Sequence, residues 1–136
     1  MTSSNDPAVI EHILNSTRTI AVVGFSSETG RAGYYVPAYL QQHGYRIIPV
    51  NPKIKSGLGQ ESYPDLPSVP DKVDLVLVFR RSEAVPEIVE QAIQIGAKAV
   101  WLQQGIVHEA AAQSARASGL EVVMDACMMV EHRRRR

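Results

Sequence analysis

Glycines, hydroxyls and a cation crowd one short stretch of the chain, Gly24-Phe25-Ser26-Ser27-Glu28-Thr29-Gly30-Arg31-Ala32-Gly33. At a strand-to-helix turn, such residues let backbone N–H groups approach a phosphate, and the N-terminus of the following helix adds positive potential. Arg31 can add a charge-assisted hydrogen bond to the same group. The chemistry on offer is a diphosphate cradle; the competing reading is a tight βα turn, and glycines alone serve either. Five residues separate Gly24 from Gly30 and Arg31 is followed by Ala32. The spacing is therefore neither Gly-x-Gly-x-x-Gly nor a phosphate loop ending in a cation followed by Ser or Thr, which weighs against NAD binding and ATP hydrolysis.

Two further stretches are candidates for the same ligand. An NAD site wants Asp or Glu at the end of the second strand for the ribose hydroxyls, whereas this chain offers Val50-Asn51-Pro52-Lys53. Lys53 and Lys55 suit a phosphorylated ribose, that of NADP or of coenzyme A, or are solvated loop lysines. Phe79-Arg80-Arg81-Ser82 and Trp101-Leu102-Gln103-Gln104-Gly105 follow apolar runs. Arginines directly after a buried strand pair a phosphate or pair surface carboxylates, and the position of Arg80 favours the ligand. Gln103 and Gly105 would line a groove with an amide and open backbone, Gly105 being equally suited to starting a loop. Trp101 reads as core.

Catalytic chemistry is hard to find. His12, His43, His108 and His132 lack ligand spacing, so no metal site is expected. Cys127 is the single cysteine and sits beside Met124, Met128 and Met129. It reads as a packing residue, with a mixed disulfide to a thiol cofactor as the sharper alternative.

These residues must be held by regular elements. Asp6 and Pro7 start a helix whose face is Val9, Ile10, Ile13 and Leu14, expected against a sheet edge. Thr19 to Phe25 is an apolar, β-branched strand buried on both faces. The helix after the glycine loop carries Val36, Tyr39 and Leu40. Gly44, Gly96 and Gly119 each follow a helix and precede a strand: Tyr45 to Val50, Ala99 to Leu102 and Leu120 to Met124. Asp74 to Phe79 is a further strand, and Pro86 opens a helix with Ile88, Val89, Ala92 and Ile93 on one face. Between them, Asn51 to Asp71 holds Pro52, Pro64, Pro67 and Pro70, which excludes a long helix.

Strands alternating with helical crossovers make an α/β fold with a five-stranded parallel sheet. Numbered along the chain, the expected order is 3-2-1-4-5, with ligands at the switch point between the first and fourth strands. The length of 136 residues fits one domain. Four of the 14 basic residues form the run Arg133 to Arg136, leaving 14 acidic against 10 basic in the rest, a balance unsuited to nucleic acid. The run itself reads as a solvated tail. A single cysteine and a polar Met1 to Pro7 fit the cytoplasm, and no run approaches the ~18 apolar residues of a membrane helix.

The segments IAVVGFSSETGRAGYYVPAYLQQHGYRIIPVNPK, DLVLVFRRSEAVPEIVEQAIQIGAKAVWLQQGIV and GLEVVMDACMMVEH resemble the small stand-alone CoA-binding proteins. Those are similar to the CoA-binding domain of succinyl-CoA synthetase α subunits and related acyl-CoA ligases. The resemblance implies a Rossmann-like three-layer αβα domain over residues 1–132, followed by the basic tail. It implies CoA as cofactor, with Gly24, Ser26, Ser27 and Arg31 at the diphosphate, together with Phe25 and Gly30 of the same loop. Asn51, Pro52 and Lys53 would meet the nucleotide, and Phe79, Arg80, Gln103 and Gly105 would complete the groove. Relatives often carry Arg-Pro-Ser and Asp-Arg-Cys where this chain has Arg31-Ala32-Gly33 and Asp125-Ala126-Cys127. The ligases use a phosphorylated histidine and an ATP site from parts this chain lacks, so the expectation is a non-catalytic CoA or acyl-CoA binder. An NADP-binding oxidoreductase fragment and a regulatory scaffold with a vestigial pocket are the alternatives, and a second copy or another protein is open as partner.

Overall fold

The computed structural model describes residues 5–136. Along the chain run α1 (Pro7–Ser16), β1 (Thr19–Val23), α2 (Ala32–Gln42), β2 (Arg46–Val50), β3 (Ser56–Gly57), β4 (Gln60–Glu61), β5 (Leu75–Val78), α3 (Val85–Gln94), β6 (Ala99–Leu102), α4 (Glu109–Ala117), β7 (Glu121–Val123) and α5 (Met128–Arg134). Every expected strand and helix is present, β6 with the expected bounds and the other strands shorter by a residue or two at their ends. The Asp6 carboxylate accepts the Ala8 N–H at 2.9 Å and caps α1 ahead of Pro7.

Five strands form one parallel sheet in the order β2-β1-β5-β6-β7. Alternate residues feed two cores. Ala21, Val23, Ile48, Val76, Val78, Val100 and Leu102 point to α3 and α4, whereas Ile20, Val22, Ile47, Leu75, Leu77 and Trp101 point to α1, α2 and α5. The result is the expected three-layer α/β architecture with helices on both faces.

The order corrects the expected 3-2-1-4-5: numbered along the chain it is 2-1-3-4-5. Pro49 supplies the reason. Arg46 N–H donates inward to the Arg18 carbonyl at 2.8 Å, and the alternation of the strand then turns residue 49 outward. A proline there lacks the N–H that a neighbour on that side would need, so β2 belongs at the edge. β5, buried at all four residues, takes the inner place beside β1. The switch point accordingly lies between β1 and β5, not between the first and fourth strands.

The proline-rich crossover forms no long helix, as expected. It holds the short β3–β4 hairpin and a 3-10 turn at Leu66–Ser68 capped by Asp65. At the chain end all four arginines are exposed, and part of the run is helical. Arg133 and Arg134 continue α5, Arg134 and Arg135 pair with Glu131 at 3.4 and 2.9 Å, and the Arg133 guanidinium lies 5.7 Å over the Tyr39 ring.

Candidate ligand-binding site

Two adjoining clefts open at the carboxyl ends of the strands. The first, of about 690 Å³, lies between the ends of β1, β2 and β5; the second, of about 620 Å³, lies between the ends of β5 and β6. Phe79 and Arg80, directly after β5, line both.

The loop after β1 is closed on itself. Gly24 has φ +87°, and a Cβ there would stand 2.9 Å from the Phe79 carbonyl oxygen, so only glycine lets β1 and β5 end this close together. The Ser26 N–H donates to the Gly33 carbonyl at 3.1 Å, its Oγ accepts the Glu28 N–H at 3.0 Å, and the Arg31 N–H donates to the Glu28 carbonyl at 3.0 Å. Among the described residues no side chain caps α2; the Tyr34 and Tyr35 N–H groups turn back to the Arg31 carbonyl at 2.9 and 3.0 Å, which leaves Ala32 and Gly33 at the open end of the helix.

The structure brings ten of the thirteen expected residues to the first cleft: Gly24, Phe25, Ser26, Ser27, Arg31, Asn51, Pro52, Lys53, Phe79 and Arg80. Their roles differ from what residue type suggests. The Phe25 ring is fully buried beneath Gly57, so this residue meets the cleft through its backbone. Asn51 spends its amide internally: Nδ2 donates to the Phe25 carbonyl at 2.8 Å and Oδ1 accepts the Lys53 N–H at 2.9 Å, tying the β1 and β2 loops together. Arg31, Lys53 and Arg80 are the exposed cations. The Arg31–Glu28 pair, 3.6 Å apart with both side chains about 70% exposed, is too wet to compete strongly with a ligand. Gly30 lines neither cleft.

Gln103 and Gly105 line the second cleft. Gln103 is buried, its Oε1 accepting the Met128 N–H at 2.9 Å. The Gly105 N–H donates to Asp125 Oδ1 at 2.7 Å, and Asp125 itself takes a left-handed backbone, φ +54°. Ala126, where relatives often carry arginine, is buried and gives its carbonyl to Trp101 Nε1–H at 2.8 Å. Cys127, read as a packing residue with a mixed disulfide as the alternative, is half-buried and part of the cleft wall.

Sequence reasoning missed several lining residues. Pro64 and Asp65 reach the first cleft because residues 62–63 run beside β2, bridging at Val50 and Tyr63, a long-range pairing with no local signal. Tyr35 and Ser82 join the second. Ser82 could have been found as the next residue after Arg80 and Arg81. Among the described residues no helix is long and apolar enough to cross a membrane.

A parallel sheet whose strand ends, glycine turn and uncapped helix surround an open cleft at the switch point defines an α/β domain of the Rossmann-like class. The chain belongs to the CoA-binding domain family, whose model matches residues 18–133. It is 41% identical over 125 residues to the uncharacterized protein YneT of Bacillus subtilis, covering 92% of this chain and 93% of that one. It is 33% identical over 95 residues to the ADP-forming acetate–CoA ligase II of Archaeoglobus fulgidus, covering 68% of this chain and only 14% of the ligase. A hypothetical protein from Pyrococcus horikoshii has the same architecture, with a TM-score of 0.91, 38% identity and 98% of both chains covered.

Proposed function

We propose that this protein binds CoA or acyl-CoA without transforming it. The nucleotide and diphosphate lie in the first cleft against the β1 loop, Arg31 and Lys53, and the pantetheine arm passes Phe79 and Arg80 into the second. The observation that carries the reading is the junction of the two clefts at Phe79 and Arg80, a path for a long ligand with an anionic head and an amide-bearing arm. Membership of the CoA-binding family and the kinship with one segment of acetate–CoA ligases support the choice of CoA.

The histidines support a binding rather than a catalytic role. His12 pairs with Glu121, His108 caps α4, and His43 and His132 stack with Tyr39, so each serves the fold away from the clefts. A free thiol at Cys127 suits the reducing cytoplasm, where we place the protein.

Isothermal titration with CoA, dephospho-CoA, NADP and NAD tests the reading. CoA binding more tightly than dephospho-CoA is the expected result, with a contact from Lys53 to the 3′-phosphate. Arg31→Ala and Lys53→Ala should each weaken binding by about 1.5 to 3 kcal/mol, the range of a charged hydrogen bond. Preference for NADP would move the assignment to an oxidoreductase fragment, and no binding at all to a scaffold.

A further inference from the structure

α2 contains a proline in its interior. Pro37 is buried and lines neither cleft. Proline has no backbone N–H, so the carbonyl four residues earlier loses its helical donor. That carbonyl belongs to Gly33, and it is the one that accepts the Ser26 N–H at 3.1 Å. Gly33 also lets the loop come this near: a Cβ there would stand 3.0 Å from the Gly24 carbonyl oxygen and 3.4 Å from Ser26. Ser26 in turn holds the Glu28 N–H through Oγ, and the Glu28 carbonyl accepts the Arg31 N–H. One missing N–H is thus connected, bond by bond, to the backbone that carries Ser26, Ser27 and Arg31.

We propose that Pro37 is a positioning residue for the first cleft: it withholds a helical donor from Gly33, reserves that carbonyl for the Ser26 amide, and so fixes the anion-facing loop before any ligand arrives. The proposal rests on the CoA reading for its consequence in binding, but its structural half stands without a ligand. An alanine at this position would bring an N–H into competition for the Gly33 carbonyl. The helix would gain a regular bond and the loop would lose its anchor. Stability and binding then move in opposite directions, which a residue needed only for packing would not produce.

The test compares the full chain with Pro37→Ala by thermal unfolding, by hydrogen exchange at the Ser26 amide without ligand, and by CoA titration. The expected result is an unchanged or raised melting temperature, lost protection at Ser26, and CoA affinity weaker by about tenfold, the effect of one lost ordering hydrogen bond. N-methylalanine introduced at position 37 by ligation, which again lacks the N–H, should restore both protection and affinity. A lowered melting temperature or unchanged Ser26 protection overturns the proposal, as does wild-type affinity despite a released loop. Should the wild-type chain bind none of the four nucleotides, the CoA reading falls while Ser26 protection still decides whether Pro37 holds the loop.

Discussion

Gly24, Gly30 and Gly33 stand in one loop for three different reasons. Gly24 sits in a left-handed conformation against the Phe79 carbonyl, Gly33 lies under the Gly24 carbonyl, and Gly30 faces open space, with nothing within 4 Å of where a Cβ would stand. Gly24→Ala should therefore cost about 1 to 3 kcal/mol through backbone strain and overlap, and push aside Arg80, whose Cδ lies 3.1 Å from that position. Gly30→Ala should stay within about 0.5 kcal/mol of wild type. Urea unfolding midpoints check the pair, and equal losses at both positions would contradict the geometry. The composition of the loop was legible in the sequence as a phosphate cradle or a tight turn. Two of its glycines answer to chain crossings with β5 and α2, which no local pattern reveals. Phe25 illustrates the same limit: named with the loop residues, it meets the first cleft through its backbone while its ring fills the core under Gly57.

At the level of elements, the alternation of strand, helix and glycine made the five parallel strands and their flanking helices readable, because local periodicity encodes them directly. Their order was not, because it depends on which strand tolerates a missing donor, and the bearing of Pro49 appears only once its outward direction is known. α5 was hidden for another reason. The four arginines that end it and directly follow it look like a repelling run, but Glu131 pairs two of them and the last turn of a helix welcomes positive charge. The helix is held to α2 by a cluster of rings: the Tyr39 hydroxyl lies 2.9 Å from His132 Nδ1, and the His43 and His132 rings are 5.0 Å apart. Burial, then His43, then Arg136 hold His132 below the ordinary histidine range. The docked helix thus favours neutral His132: its contribution is fully present above about pH 6.5 and is lost as pH falls through the lowered value. Hydrogen exchange in Met128–Arg134, corrected for intrinsic rates, should accelerate on acidification. His132→Gln should flatten that response.

For the molecule as a whole, the two margins of the sheet decide how copies of it can meet. On the β2 side, Pro49 removes one outward donor, the Tyr63 N–H occupies the Pro49 carbonyl at 3.1 Å, and Arg46 and Asp71 set a charged pair 2.5 Å apart beside it. On the β7 side the strand is three residues long, and the Asn5 side chain takes both backbone groups of Met124, at 2.6 and 3.0 Å, much as a neighbouring strand would. Each margin thus has one pairing position already taken. An added strand would find these positions already occupied, so pairing there is disfavoured. Pro49→Val returns an unpaired donor to the β2 margin and should raise the association measured by light scattering at high concentration, with the monomer fold intact by circular dichroism. One imino acid at the border of the sheet thus withholds a bond that an added strand would need, a consequence separate from any ligand.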